Sequence, residues 1–323
     1  MIDLLPLLKD TVAYRTVEKD KEENRLSHAY LLVSADGDCL GGYLKLFAKL
    51  IATKDGDARA ANLIDGGIHP DVLFFPVKGD AVLKEDVAAI ISESYIKPLE
   101  SDKKVFVINC GESLSPSSQN KLLKTLEEPP LNVHIIVGTT SEYSLLPTFR
   151  SRLKKLFIPT FTEEQLFSAL LPVCPDEERL KEAIFCGDGT AGKAFALYGD
   201  ENLSETTDAV VDTLTHMQSS ASVLSFSDRI MKLKDGLNGF LSVLELANRD
   251  MAAYFFGGEN TVKNARLFAR IKDAKGFTAG ACVSIADKIA EANRRLGANV
   301  NPQAVAEWLL FAILEVKHKW QKL

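Results

Sequence analysis

Between His28 and Ile158 the chain alternates short apolar runs with stretches of helical spacing, and after Pro159 that alternation stops. The runs are His28 to Ser34, Val72 to Val77, Val105 to Asn109, His134 to Gly138 and Leu156 to Ile158. Each has the length of a strand, and the segments between them read as helices, so the region is expected to be an α/β domain built on a largely parallel sheet. Between the first two runs Leu44, Phe47, Ala48 and Ile51 recur at helical spacing, which gives a crossover helix one apolar stripe to lay on the sheet.

Beyond Pro159 the period changes. Thr162 followed by Gln165 forms a capping-box pattern that opens a helix towards Leu171. Further helices are expected from Glu177 to Cys186 and from Ala191 to Leu197, separated by Gly187 and Gly189. From about Ser204 helical stripes continue to the end, broken at Gly257-Gly258, at Gly276 and from Gly297 to Pro302. In the last of them Val305, Trp308, Leu309, Ala312 and Val316 share one face, which reads first as core. A length of 323 residues exceeds what one core supports. The expected division is therefore an α/β domain over residues 1–160, a small three-helix domain over 161–203 and a helical domain over 204–323.

The formal charge of -6 argues against a protein that coats nucleic acid through its overall field, so any DNA contact has to come from local patches or from partners. Lys103, Lys104, Lys121, Lys124, Lys154 and Lys155 are candidates for such a rim, although solvated faces are the default for lysines. Met1 to Asp10 lacks the features of a secretory signal, and no segment approaches the ~18 apolar residues of a membrane span. A cytoplasmic location without membrane contact is the expectation. Five cysteines without paired short spacings (Cys39, Cys110, Cys174, Cys186, Cys282) suit a reducing compartment and offer no zinc site. His28, His69, His134, His216 and His318 have no metal or triad spacing and are expected to pack or cap.

The first apolar run leads into the slot where a nucleotide-binding loop would carry G-x-x-x-x-G-K-[ST], its amides cradling phosphates, its lysine neutralising them and its hydroxyl holding magnesium. Here the slot reads Ser34-Ala35-Asp36-Gly37-Asp38-Cys39-Leu40-Gly41. Leu40 stands in place of the lysine, Gly41 in place of the hydroxyl, and Asp36 and Asp38 would set negative charge beside a triphosphate. After Val105-Phe106-Val107-Ile108, where an ATPase needs an acidic pair to organise magnesium and water, the chain has Asn109-Cys110. Both halves of the site are missing together. Glu112, just beyond, reads as a helix-start or solvent residue. No nucleotide cofactor and no metal are expected.

The stretch Asn120-Lys121-Leu122-Leu123-Lys124-Thr125-Leu126-Glu127-Glu128-Pro129-Pro130 is physically an amphipathic helix stopped by a proline pair. It also resembles the signature of the clamp-loader subunits of the AAA+ family. Leu145-Leu146-Pro147-Thr148-Phe149-Arg150-Ser151-Arg152 is similar to that family's arginine-finger segment. Leu26 to Tyr30, His69-Pro70-Asp71, the lid-like Asp188 to Ala194 with Lys193 at the sensor position, and Asn299 to Pro302 carry the resemblance further. The family's zinc cysteines are absent between Lys54 and Asp65, and Leu153 replaces a usual cysteine. With the degenerate loop, these departures resemble the delta-prime branch of the bacterial DNA polymerase III loader rather than the hydrolysing gamma or tau branch.

The resemblance implies a RecA-like module, a lid and a collar joining a ring with gamma or tau and delta subunits, which opens a sliding clamp and sets it on primed DNA. It also implies that Arg152 reaches a neighbour's γ-phosphate, for which a planar, permanently charged guanidinium is suited. Arg150 is the candidate for orienting the loop. Lys193, Thr139 and Thr140 would be vestigial without a nucleotide. Two rivals remain: an active ATPase motor, which Leu40, Gly41, Asn109 and Cys110 oppose, and a pseudo-ATPase scaffold outside replication.

Overall fold

The computed structural model describes residues 2–54, 56–199, 203–233 and 236–321. They form two compact units, one of residues 1–180 with 189–195, the other of residues 181–188 with 196–323.

The first unit begins with two helices, α1 (Leu5–Leu8) and α2 (Val12–Glu22), that precede the first apolar run. Then come β1 (Ala29–Ser34), α3 (Gly37–Ala52), α4 (Ala58–Asp65), β2 (Val72–Phe75), α5 (Lys84–Ser94) and β3 (Lys104–Ile108). They are followed by α6 (Pro116–Glu127), β4 (Val133–Thr139), the single turn α7 (Pro147–Arg150), β5 (Lys154–Ile158) and α8 (Glu163–Leu170). Among the described residues the strands make one five-stranded sheet in the order β2-β3-β4-β1-β5. Every pairing is parallel, as the alternation of runs and stripes predicts.

The three inner strands are apolar on both faces, which is why they read as continuous runs instead of alternating ones. β5 is an edge strand whose first residues, Lys154 and Lys155, are exposed, a charge pattern that blunts an edge against further pairing. β2 stops at Phe75, two residues before its apolar run ends, because Pro76 has no amide to give the ladder. The next amide, Val77, donates to the Asp86 carboxylate at 3.4 Å instead. On α3 the stripe of Leu44, Phe47, Ala48 and Ile51 is buried as its spacing requires.

The capping box of α8 is present in both directions, with the Thr162 hydroxyl accepting from the Gln165 amide and the Gln165 side chain accepting from the Thr162 amide. The division between the units runs through the next two helices, α9 (Glu177–Cys186) and α10 (Ala191–Gly199).

The second unit is helical among its described residues. It holds α11 (Leu203–His216), α12 (Val223–Lys232), α13 (Gly236–Gly257), α14 (Ala265–Ile271), α15 (Ala279–Gly297) and α16 (Pro302–Gln321). Its core gathers Val210, Phe240, Leu244, Ile285, Leu309 and Ile313, and Val305, Leu309 and Val316 of α16 point into it. The Trp308 ring lies under the Arg295 guanidinium, 3.8 Å from its centroid. The last helix thus spends its stripe on internal packing. Among the described residues no helix is long and apolar enough to cross a membrane.

Candidate functional site

In a parallel sheet of this kind ligands bind beyond the carboxyl ends of the strands. The register sets Val33 of β1 beside Thr139 of β4, and Ile108 of β3 beside Val137, so the loop after β1, the Asn109-Cys110 turn and Thr139-Thr140 share one edge. A side chain at Gly37 would meet the Thr140 methyl at 3.2 Å and one at Gly41 would meet the Asn109 amide at 3.5 Å, so the pieces of the slot are in close approach.

What fills the slot is Asp36. It is 4% exposed and stands at the N-cap of α3, where its Oδ1 accepts from the Cys39 amide at 3.1 Å. Oδ2 accepts from the Tyr43 hydroxyl at 3.0 Å and from the Gly192 amide at 3.0 Å. Its own amide donates to the buried Ser34 hydroxyl at 3.1 Å. A helix N-terminus attracts an anion through unpaired amides and the macrodipole, and here the anion belongs to the chain.

The first turn of α10 closes on the same spot, since a Cβ at Gly192 would lie 2.6 Å from Asp36 Oδ1 and 2.5 Å from Asp38 Cβ. Gly189, at φ +77° and with Thr160 Cβ 2.8 Å from its would-be side chain, lets the chain turn into that helix. Leu40 is buried, while Asp38 lies exposed on the first turn. Burial, helped by Asp36 and Asp38, pushes the Cys39 thiol up to about 12, so it carries no thiolate at neutral pH.

The Asn109-Cys110 turn is equally committed to structure. The Asn109 amide donates to the Phe75 carbonyl, its side-chain oxygen accepts from the Cys110 amide at 3.0 Å, and Cys110 takes a left-handed φ of 56°. Thr139 is buried and closes a turn with Ser141, its hydroxyl donating to the Ser141 carbonyl and accepting from the Ser141 amide. Glu112 is exposed and accepts from the Thr140 hydroxyl at 3.3 Å.

A second cluster forms around α6. Ser115 caps its start and Pro116 opens it, and the helix ends at Glu127 ahead of Glu128, Pro129 and Pro130. Leu122 and Leu126 are buried, whereas Asn120, Lys121, Lys124, Glu127 and Glu128 are exposed. Gln119, which no sequence motif marks, is buried and ties this helix to the arginine segment. Its Nε2 donates to the Leu114 carbonyl at 2.9 Å, and its Oε1 accepts from the Leu146 amide at 2.7 Å, one residue before Pro147 opens α7.

The two arginines that follow are used differently. Arg150 is held 3.6 Å from Glu142, which Lys155 also contacts at 2.6 Å, and its guanidinium lies 5.3 Å from the Tyr143 ring centroid. Lys155 and Arg150 hold the Glu142 carboxyl below its usual range. Ser151 closes the turn, its hydroxyl donating to the Thr148 carbonyl at 3.1 Å. Arg152 donates through Nη1 to the Thr148 carbonyl and through Nη2 to Glu127. The signature helix and the arginine segment thus meet, while the slot is assembled separately by α3, α10 and the strand ends.

Of the lysines considered for a basic rim, Lys104 is a correction. It is buried and paired with Glu93 at 2.7 Å, and Lys154 is paired with Asp20. Among the histidines, His134 bonds the Ser27 carbonyl at 2.8 Å and its burial lowers its pKa, and His69 Nδ1 accepts from the Asp71 amide. Asp71 in turn is fully buried and accepts from the Leu99, Glu100 and Ser101 amides at 2.7 Å each, which pins the loop before β3.

A five-stranded parallel sheet flanked by helices, with a helical second unit, is the architecture expected of a RecA-like module followed by helical domains. The family described as "DNA polymerase III, delta subunit" matches residues 9–162. The delta-prime subunit of DNA polymerase III from Bacillus subtilis is 27% identical over 316 residues, 94% of this chain and 94% of that protein. The Escherichia coli delta-prime subunit is 29% identical over 150 residues, 46% of this chain and 45% of that one. A tau/gamma subunit from Haemophilus influenzae is 30% identical over 163 residues, 48% of this chain and 24% of that one. The chain spans nearly all of the first relative and less than half of the other two. The chain is thus similar over nearly its whole length to a delta-prime subunit of bacterial DNA polymerase III, and over residues 9–162 to the family model.

Proposed function

We propose that this chain is the non-hydrolysing member of a clamp-loading ring, that it binds no ATP of its own, and that Arg152 completes the ATP site of an adjacent gamma or tau subunit. In this reading residues 1–160 are the AAA+ module, 161–203 the lid and 204–323 the collar that joins the ring. The complex, with delta, opens a sliding clamp and places it on primed DNA in the cytoplasm.

The observation that carries the reading is Asp36. Its carboxylate sits at the helix terminus where phosphate would lie, held by the Cys39 and Gly192 amides and the Tyr43 hydroxyl. A triphosphate entering there would face a like charge, would find Leu40 instead of lysine, and would have to displace three hydrogen bonds to a buried carboxylate. Support for the finger comes from the exposure of Arg152 beside the more enclosed Arg150, and from its place at the end of the signature helix.

Reconstitution with gamma or tau and delta tests the reading. Clamp-dependent ATP turnover is expected to fall by roughly a thousandfold at the site Arg152 completes when it is replaced by alanine, the scale of arginine-finger effects in other nucleotide hydrolases, with the ring still assembled. Unchanged turnover in an assembled ring removes the finger.

A further inference from the structure

Arg152 is not a loose side chain waiting at the surface. Its Nη2 contacts Glu127 and its Nη1 donates to the Thr148 carbonyl, so both ends of the guanidinium fork have acceptors on this chain. The pair is open to solvent, with the Arg152 side chain 31% exposed and that of Glu127 49% exposed. Arg150 contrasts with it at 19%, paired to a Glu142 that is 15% exposed and shared with Lys155. An enclosed pair with a second cation is costly to open, whereas an exposed one contributes little and is screened by salt.

Glu127 is also the last residue of α6, where the helix macrodipole disfavours a negative charge. Its attachment to Arg152 relieves that cost, which gives the carboxylate a local reason to hold the guanidinium. A nucleotide's terminal phosphate carries more charge and accepts in the same bidentate manner, so it outcompetes a single half-exposed carboxylate for the fork.

We propose that Glu127 is a positioning residue that parks Arg152 on the chain's own surface and yields it to the terminal phosphate of a nucleotide held by a neighbouring subunit. The inference rests on the finger reading of Arg152 given above. Parking withdraws the arginine for part of the time, so Glu127 acts as a brake on a site it never touches.

The test uses the reconstituted complex with Glu127→Gln, which keeps the shape and removes the charge, beside Arg152→Ala and the double variant. Because exposed pairs are weak, Glu127→Gln is expected to raise kcat by roughly twofold to fivefold at low salt, with the advantage fading at high salt. The double variant is expected to match Arg152→Ala, since Glu127 acts only through that arginine. On the isolated chain, 15N relaxation at Arg152 Nε reads the parking without any ring, and the ordered signal of the native protein is expected to become mobile in Glu127→Gln. If Arg152→Ala lowers turnover but Glu127→Gln leaves it unchanged or reduces it, or if Nε is equally mobile in both chains, parking is overturned and the finger stands. If Arg152→Ala has no effect, the finger reading fails and takes the parking with it.

Discussion

The Asp36 carboxylate collects the Cys39 amide, the Tyr43 hydroxyl and the Gly192 amide in a buried place, so truncating it strands three donors at once. Stranded buried donors cost far more than a hydrogen bond gains, and Asp36→Ala is expected to lower stability by about 3 kcal/mol in urea unfolding. Asp38, two residues on and exposed, is expected to change it by less than about 0.5 kcal/mol on the same substitution. The sequence made Asp36 legible as a wrong charge in a phosphate loop. It could not make it legible as a cap, because the amide that completes the arrangement lies 156 residues away.

Lys317 gives a second test at this scale. It is buried in the helical unit with its ammonium donating to the Leu214 and Met217 carbonyls at the end of α11, and burial lowers its pKa to about 8. Between about 8 and its unfolded value the unfolded chain binds more protons, so stability rises with pH through that window, while the cost of the buried charge is fully present below it. Relative to Lys317→Met, the native protein is expected to gain up to about 3 kcal/mol as pH is raised from 8 towards 10.5, read from urea midpoints. A flat difference across that range would contradict the buried charge.

At the scale of elements, the strands and the crossover helix were legible because burial on both faces leaves continuous apolar runs and burial on one face leaves a stripe. Helices α1 and α2 were not read, since α2 buries only Ala13 and Val17 and offers a thin pattern. The join between α6 and the arginine segment was also hidden, because one polar side chain makes it. Gln119→Leu removes the acceptor of the Leu146 amide, and hydrogen exchange at that amide is expected to quicken by at least tenfold while the β4 amides stay protected. Protection unchanged at Leu146 would mean that the segment is held by other contacts. Where α10 meets α3, Gly192→Ala forces a methyl to within 2.6 Å of Asp36 Oδ1, and overpacking of this kind is expected to cost about 1–3 kcal/mol in the same unfolding assay.

At the scale of the whole molecule, the parallel sheet could be read from residue types, and so could the replacement of the lysine, hydroxyl and paired carboxylates that a catalytic loop needs by Leu40, Gly41, Asn109 and Cys110. The resemblance singles out Arg152 over Arg150, but the different surroundings of the two, Glu142 and Lys155 around Arg150 and Glu127 beside Arg152, could not be read from the sequence. The function proposed above divides the labour between a slot occupied by the Asp36 carboxylate and a partly exposed Arg152 that would serve another chain. Calorimetric titration of the purified chain with ATP and magnesium addresses that division most directly. No binding heat is expected up to millimolar nucleotide, and Asp36 is expected to keep its three donors throughout. A saturable, magnesium-dependent isotherm at micromolar ATP, lost on substitution at Gly192 or Cys39, would contradict it.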